Sequence, residues 1–154
     1  MSIKKILIWL PAIVMAMIIF GFSKQDGEES SGLSYKAADI ILTVCDKAGI
    51  IDCNENNRES MIEAVQFPIR KAAHMTEYAI LAFLLYKTFI HKQNPLIKSF
   101  IFTFLYACSD EFHQLFIAGR AGQFKDVCID STGALIMLLI IYFINKRKDK
   151  KRLR

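Results

Sequence analysis

The sequence lacks the short motifs that identify several large enzyme classes. No Gly-x-x-x-x-Gly-Lys-Ser/Thr loop is present to bind a nucleotide, so the run Asp110-Glu-Phe-His does not act as a helicase box. The chain has neither the His-Glu-x-x-His helix of zinc proteases nor the Gly-x-Ser-x-Gly elbow of serine hydrolases. It also shows no internal repeat, which argues against a transporter built from inverted repeats.

Cysteines are few and are never arranged as Cys-x-x-Cys, which argues against a structural zinc site. Cys108 and Cys128 lie in apolar surroundings, where cysteine packs as a small hydrophobic residue. Cys45 and Cys53 lie in the one long polar segment of the chain. Outside a membrane they form either a disulfide or two free thiols, and the sequence leaves both open.

Acidic residues are fewer than basic ones, 15 against 20, which gives a net charge of +5. Seven of the twenty basic residues lie in the last nine positions, 146–154, directly after an apolar run. A basic tail in this position is typical of a cytoplasmic end that faces anionic lipid. We therefore expect a lipid bilayer, and not nucleic acid, as the partner of this charge.

Apolar residues are abundant: 53% of the chain is hydrophobic, and the mean hydropathy of +0.29 is high for a soluble domain. They concentrate in four runs of membrane-spanning length. These runs are Ile6 to Phe22, Lys71 to His91, Ile97 to Phe116, and Phe124 to Asn145. The pattern predicts an all-α, polytopic membrane protein with four transmembrane helices. The first run has no small-residue cleavage site, so we expect a retained helix and not a signal peptide.

The polar segment between the first two runs is predicted to contain two amphipathic helices. The first is expected to be capped at Ser34, after which apolar residues recur at helical spacing. The second places Met61 and Val65 on one face and is expected to end at Pro68. We expect both helices to lie across the outer surface of the membrane domain, with an ordinary loop as the alternative.

The basic residues set the predicted topology. Lys4 and Lys5 precede the first apolar run, which places the N-terminus in the cytoplasm, and four crossings return the C-terminus there. Residues 1–145 then form the membrane domain, with residues 23–69 extracytoplasmic, and residues 146–154 form a cytoplasmic tail. The chain is expected to be a multi-pass protein of the cytoplasmic membrane.

Apart from Lys87 and Lys98 near the inner ends, the ionisable side chains within the apolar runs lie near their outer ends. Such groups are costly in hydrocarbon and are candidates for function. The set comprises His74, Glu77, Asp110, Glu111, His113, Gln114, Asp126 and Asp130. At about 3.6 residues per turn, Asp110 shares a helix face with His113 and Gln114, while Glu111 is expected to point away.

Two kinds of chemistry fit these residue types. The carboxylates of Asp110, Asp126 and Asp130 suit a hard divalent cation, and zinc would instead use the histidines. The guanidinium groups of Arg70 and Arg120 suit bidentate binding of a phosphate or carboxylate. Each feature also has a structural alternative: a buried His–Glu pair, a carboxylate at a helix N-terminus, or an arginine that pairs with an acid.

The chain resembles the VanZ-like family of small bacterial membrane proteins. The resemblance covers Ile6 to Ile144 and rests on several short motifs. These are Phe22-Ser23-x-Gln25, Arg70-Lys71-x-x-His74-x-x-Glu77-Tyr78, Tyr106-x-x-x-Asp110-Glu111-x-His113-Gln114-x-Phe116, Gly119-Arg120, Asp126-x-x-x-Asp130 and Gly133. One position departs from the pattern, because Met137 stands where the family often has a second glycine.

The resemblance implies a role in the bacterial cell envelope and in susceptibility to teicoplanin and other lipoglycopeptides. Five of the matching positions outside the acid–histidine set are candidates for substrate binding. They are Ser23, Gln25, Arg70, Tyr78 and Arg120. The resemblance implies no settled reaction.

Two hypotheses follow. In the first, the chain is a metal-assisted hydrolase or transferase that acts on a lipid-linked phosphate or envelope precursor. Its catalytic residues would be His74, Glu77, Asp110, Glu111, His113 and Gln114, with the divalent metal bound by Asp110, Asp126 and Asp130. In the second, the chain is a non-enzymatic membrane protein that binds a lipid precursor or a lipoglycopeptide, or limits antibiotic access, and its acids serve structure.

Overall fold

Five helices account for the regular structure of the chain. The computed structural model describes residues 3–25 and 27–152, with side chains described for 7–25 and 27–151. The helices are α1 (Ile3–Ser23), α2 (Gly27–Lys47), α3 (Arg58–Phe89), α4 (Pro95–Gln114) and α5 (Phe124–Arg152). The prediction of an all-α protein is confirmed. The side chains of Lys4 and Lys5, on which the predicted cytoplasmic N-terminus depends, and Arg154 of the tail lie outside the described residues.

The helix α3 packs against each of the other four helices and forms the centre of the molecule. Its buried Tyr78, Leu81 and Leu85 share a core with α1, α4 and α5. The closest approach is between α3 and α5, where a Cβ added to Gly133 would lie 2.1 Å from the carbonyl oxygen of Met75. Glycine is therefore required at position 133 for the two backbones to approach this closely.

The predicted break at Pro68 is wrong, because α3 runs through this proline as one helix of 32 residues. Proline removes one backbone hydrogen bond and crowds the preceding turn. Apolar contacts to α2 on both sides of the proline offset this cost: Ile62 and Val65 lie before it and Ile69 lies after it. The second predicted amphipathic helix is thus the first part of α3.

The predicted cap at Ser34 is also wrong, because α2 begins at Gly27, seven residues earlier. Glu28 and Glu29 lie in its first turn, where negative charge complements the helix dipole. The backbone N–H of Gly27 donates to the carbonyl oxygen of Ala118 at 3.1 Å. Ser34 lies inside the helix, and its hydroxyl donates to the Ser30 carbonyl at 3.1 Å.

Outside the four-helix core, α2 and the start of α3 form a small layer around Ala38, Leu42 and Ile62. Arg58 closes this layer with a salt bridge of 2.6 Å to Asp39 and a hydrogen bond of 2.6 Å to the hydroxyl of Thr43. The two cysteines of this region, Cys45 and Cys53, are free thiols.

Membrane-spanning character is clearest in α5. An 18-residue window within its segment Phe124–Lys151 has a mean hydropathy of 2.2, and the segment is long enough to cross a bilayer. A second candidate is the pair of α1 and α2, which meet at a bend of 106°. The structure therefore has one or two candidate membrane helices by length and composition. The helix α4 is less uniformly apolar, because it contains Lys98, Asp110 and Glu111.

Candidate functional site

The chain brings its polar residues together at one end of the bundle. There the last turns of α1 and α4 and the first turns of α2 and α5 surround the middle of α3. Two contacts between helices mark this level: a hydrogen bond from the Tyr78 hydroxyl to Asp110 Oδ2 at 3.1 Å, and a salt bridge from Lys71 Nζ to Asp126 Oδ1 at 2.6 Å. Residues that are distant in sequence are thus adjacent in space.

A buried hydrogen-bond network joins α3 and α4 at this end. Asp110 accepts from the hydroxyl of Tyr78, and Gln114 Nε2 lies 3.3 Å from the same Asp110 oxygen. Gln114 Nε2 also lies 3.2 Å from Glu111 Oε1. All four side chains are buried, and a buried carboxylate is stable only when it receives such bonds. The network fixes the last turn of α4 against α3.

Hydrogen bonds also join the loop between α4 and α5 to this network. Glu111 Oε2 accepts from the backbone N–H of Gln123 at 2.9 Å, and Arg120 Nη1 donates to Gln114 Oε1 at 3.4 Å. Gly119 has a φ of 70°, a left-handed conformation that glycine adopts without strain. A Cβ at Gly122 would lie 2.1 Å from the Glu111 carbonyl oxygen, so a larger residue does not fit there. The loop is held close above α4.

His74 and Glu77 face the interior one helical turn apart on α3. His74 Nδ1 lies 3.6 Å from Glu77 Oε2, too far for a hydrogen bond, and the two side chains are 16% and 19% exposed. Both atoms are buried without a hydrogen-bond partner among the residues that the structure describes. Buried polar atoms in this state are available to bind a ligand or a water molecule.

Two adjoining pockets open at this end of the bundle. The first, the apolar-walled pocket, has a volume of about 270 Å³ and is lined by Phe22, Gln25, Ser30, Leu33, Ser34, Ala37, Ile69, Arg70, Ala73, His74, Glu77 and Arg120. The second, the polar pocket, has a volume of about 190 Å³ and is lined by Phe67, Arg70, Lys71, His74, Glu111, Gln114, Gly119, Arg120, Ala121, Gln123, Asp126 and Asp130. Arg70, His74 and Arg120 line both pockets, so the two pockets meet at these three basic side chains.

Both shared arginines are held by neighbouring elements. Arg70 Nη2 lies 3.2 Å from the hydroxyl oxygen of Ser31, and Arg120 Nη2 donates to the carbonyl oxygen of Phe22 at 3.4 Å. These contacts place the two guanidinium groups at the junction of the pockets.

A comparison of the whole chain with known protein families identifies the family to which it belongs. The VanZ/LLP1 family model matches residues 8–145. The chain belongs to the VanZ/LLP1 family. No curated protein and no solved structure matches the chain. The family match covers every residue of the two pockets, so the pockets are part of the VanZ/LLP1 region and not of the basic tail.

Most of the predicted site residues of this VanZ/LLP1 chain line a pocket. These are Gln25, Arg70, His74, Glu77, Glu111, Gln114, Arg120, Asp126 and Asp130. The others are placed elsewhere. Ser23 is fully buried, while Tyr78 and Asp110 form the network behind the pockets. The ring of His113 packs against Phe20 at a centroid distance of 4.8 Å.

The three carboxylates proposed as metal ligands do not form a ligand cluster. Within residues 3–25 and 27–152, no three His, Cys, Asp or Glu side chains are grouped so that they could hold a metal ion. Asp126 is paired with Lys71, and Asp110 accepts from Tyr78. The described residues thus form no metal-ligand group, and a metal role for Asp110, Asp126 and Asp130 stays a prediction.

Several residues of the VanZ/LLP1 site were missed by sequence reasoning. Lys71, which sequence analysis placed only at the start of the second apolar run, pairs with Asp126 in the polar pocket. Ser31 and Ser34 contact Arg70 across 39 and 36 residues of sequence. The backbone N–H of Gln123 donates a hydrogen bond to the Glu111 carboxylate. The spacing of residues within one helix does not predict these contacts, because each contact joins two different elements.

Proposed function

We propose that the chain is an integral protein of the bacterial cytoplasmic membrane in which α1, α3, α4 and α5 cross the bilayer, with both termini in the cytoplasm. The polar residues at one end of the bundle and the basic residues at the other support this topology. The basic end carries Lys87, Lys92, Lys98 and the tail after residue 145. The two pockets then open toward the outer face.

The helix α2 fits the surface of such a membrane domain. It meets α1 at 106° and packs one side against α3. Three apolar residues on its other side, Ile40, Ile41 and Val44, are 63%, 46% and 60% exposed. An amphipathic helix of this kind lies in the membrane interface with its apolar side in the lipid. We place α2 in the outer leaflet beside the apolar-walled pocket.

The function that the geometry supports best is binding and cleavage or transfer of a lipid-linked phosphate, such as that of a cell-envelope precursor. One observation carries this proposal: Arg70, Arg120 and His74 together line the junction of an apolar-walled and a polar pocket. A lipid phosphate has the same division into an apolar chain and an anionic headgroup. Guanidinium groups bind phosphate through paired hydrogen bonds.

His74 is the residue best placed for proton transfer. Water attacks phosphorus and the bond from phosphorus to the leaving oxygen breaks. Protonated His74 donates its proton to the leaving oxygen, and it regains a proton from the attacking water, whose oxygen stays on the phosphate. The Glu77 carboxylate lies 3.6 Å from His74 Nδ1, within ion-pair distance of a protonated imidazole. Arg70 and Arg120 neutralise the charge on the remaining phosphate oxygens. Asp110, Glu111 and Gln114 position the helix α4 and the loop, and His113 takes no part.

A second function, binding without turnover, is favoured by a different observation. The acids Asp110 and Glu111 are already engaged in hydrogen bonds that hold α3, α4 and the loop together. In this reading they serve structure alone, and the pockets bind a lipid precursor or a lipoglycopeptide such as teicoplanin. The acyl chain of the ligand would contact apolar walls such as Phe22 and Leu33.

The purified full chain, mixed with a polyprenyl phosphate or diphosphate, tests both functions. Binding and the release of inorganic phosphate are measured together, with and without a chelator. We expect Arg70→Gln and Arg120→Gln each to weaken binding about tenfold, because each removes charge-assisted hydrogen bonds. We expect His74→Asn to bind normally and to release phosphate about 100-fold more slowly.

Arg58→Gln is the matched control, since Arg58 pairs with Asp39 in the outer layer and lines neither pocket. It should leave both binding and release unchanged. Saturable binding without release in the wild-type chain would support the second function over the first. Equal binding by the wild type and both pocket-arginine variants would contradict the proposed site in either form.

A further inference from the structure

A third cavity lies at the opposite end of the bundle, on the outer surface between α4 and α5. Its volume is about 400 Å³, within the range of ligand pockets, which is about 300–1,000 Å³. Its walls are apolar and include Leu96 and Phe100 from α4 and Leu135, Leu139 and Tyr142 from α5. At about 1.5 Å per residue, Phe100 lies about 20 Å along α4 from the polar end. We call this cavity the α4–α5 groove.

The α4–α5 groove ends at a positive charge. Its α5 residues recur at helical spacing, so the next turn brings Lys146 onto nearly the same side as Tyr142. The ammonium group of Lys146 lies 5.8 Å from the centroid of the Tyr142 ring, a cation–π contact. Six of the seven residues in 146–152 are basic, and Asp149 is the one acid among them. The helix α5 therefore passes from an apolar wall directly into a strongly basic end.

We propose that the α4–α5 groove binds an acyl chain of one anionic phospholipid, whose phosphate contacts Lys146 at the basic end of the groove. The apolar walls match the chain, and the net positive charge beyond Tyr142 matches a headgroup with net negative charge. A zwitterionic phospholipid offers only the first match. A parallel second copy of the chain would bring two basic ends together and is disfavoured by repulsion.

This inference rests on the membrane insertion of α5 but not on the chemistry of the two outer pockets. It assigns a lipid ligand to a cavity that shares no lining residue with them. Unchanged phosphate binding by the Arg70 and Arg120 variants would contradict the proposed phosphate site but not the lipid site in the groove. Absence of lipid binding at the groove would likewise not contradict the proposed function of the two pockets.

The test is a titration of the full chain in nonionic detergent with phosphatidylglycerol, and in parallel with phosphatidylcholine of the same acyl chains. Native mass spectrometry counts the lipids bound to each chain. We expect one phosphatidylglycerol to bind at least fivefold more tightly than phosphatidylcholine. Leu139→Trp, which fills the groove, should remove this binding. Lys146→Gln should weaken it about fivefold, as expected for one basic residue near an anionic group.

Each variant has a matched control on another side of α5. Ile140→Trp adds the same bulk at a residue that is 49% exposed, as against 45% for Leu139, and lines no part of the groove. Lys148→Gln removes the same charge on a different side of the helix. Both controls should bind phosphatidylglycerol as the wild type does. Equal binding of the two lipids, or unchanged binding by Leu139→Trp, would overturn the proposal. So would a dimer that Leu139→Trp dissociates, because a second copy would then fill the groove.

Discussion

The two ends of the bundle are held together in different ways. We call the end opposite the two pockets, where the basic residues also lie, the apolar end. There, aromatic side chains of three helices meet: Trp9 packs against Phe89 at a centroid distance of 5.4 Å, and Phe89 against Phe102 at 5.2 Å. At the polar end, hydrogen bonds and a salt bridge join the helices through Asp110, Glu111 and other buried groups. Apolar contacts tolerate exchange of similar residues, whereas each polar contact requires one partner at one distance.

This difference indicates where stability and function reside. A bilayer supplies no hydrophobic driving force between helices, so packing and hydrogen bonds must hold them together. The apolar end provides packing and the α4–α5 groove. The polar end carries buried groups that are costly unless they are paired, and it also carries the two pockets. Substitutions at the two ends should therefore cause different losses of stability and should affect different functions.

The largest effect is expected at the boundary between the two ends, where α3 and α5 touch. Gly133→Ala would place a Cβ 2.1 Å from the Met75 carbonyl oxygen, so the two backbones must move apart. We expect a loss of about 3 kcal/mol in the free energy of unfolding, measured in detergent. Gly21→Ala is the control, because a Cβ there meets nothing within 4 Å. A similar loss in both variants would contradict the close contact of α3 with α5.

A smaller effect is expected at the polar end alone. In Glu111→Gln the new amide group faces the N–H of Gln123 or the amide of Gln114, so one hydrogen bond is lost and a donor is left unpaired. We expect a cost of about 2 kcal/mol in the free energy of unfolding and faster proteolysis of the 115–123 loop. Glu59→Gln, at an exposed carboxylate that accepts from Tyr35, should change stability by less than about 0.5 kcal/mol. Equal losses in the two variants would show that burial of Glu111 does not matter.

The smallest effect is expected at the apolar end. Phe89→Leu keeps an apolar side chain but loses the edge contact with Trp9 and the tilted contact with Phe102. We expect a loss of about 1 kcal/mol in the free energy of unfolding, with phosphate binding unchanged. Phe124→Leu, at a residue that is 70% exposed, should have no measurable effect on stability. A change in phosphate binding by Phe89→Leu would show that the two ends are coupled.

Much of the fold could be predicted from the sequence because it depends on local pattern. Apolar runs of helical length predicted α1, α4 and α5 to within a few residues, apart from the extension of α5 to Arg152. The continuity of α3 through Pro68 could not be predicted, because it depends on contacts of Ile62 and Ile69 with another helix. The start of α2 at Gly27 was missed for a similar reason, since the Ala118 carbonyl that receives its N–H is remote in sequence.

In the candidate site, too, contacts within one helix could be predicted from the sequence, and contacts between elements could not. Helical spacing identified His74 with Glu77, and Asp110 with Gln114, as neighbours. It also placed Glu111 roughly 100° around the helix from Asp110, but it did not predict that Gln114, three residues beyond Glu111, contacts both carboxylates. The pairing of Lys71 with Asp126 joins two helices and has no signature within either one.

The central claim is that the polar end of the bundle faces the outside of the cell and the link from α3 to α4 faces the cytoplasm. The most direct test places single cysteines at two exposed positions, Ala121→Cys in the α4–α5 loop and Gln93→Cys in that link, in a chain without its native cysteines. Intact cells are treated with a membrane-impermeant thiol reagent. The account predicts that position 121 is labelled in intact cells and position 93 only after permeabilisation. Labelling of both positions in intact cells, or labelling of position 93 alone, would contradict it.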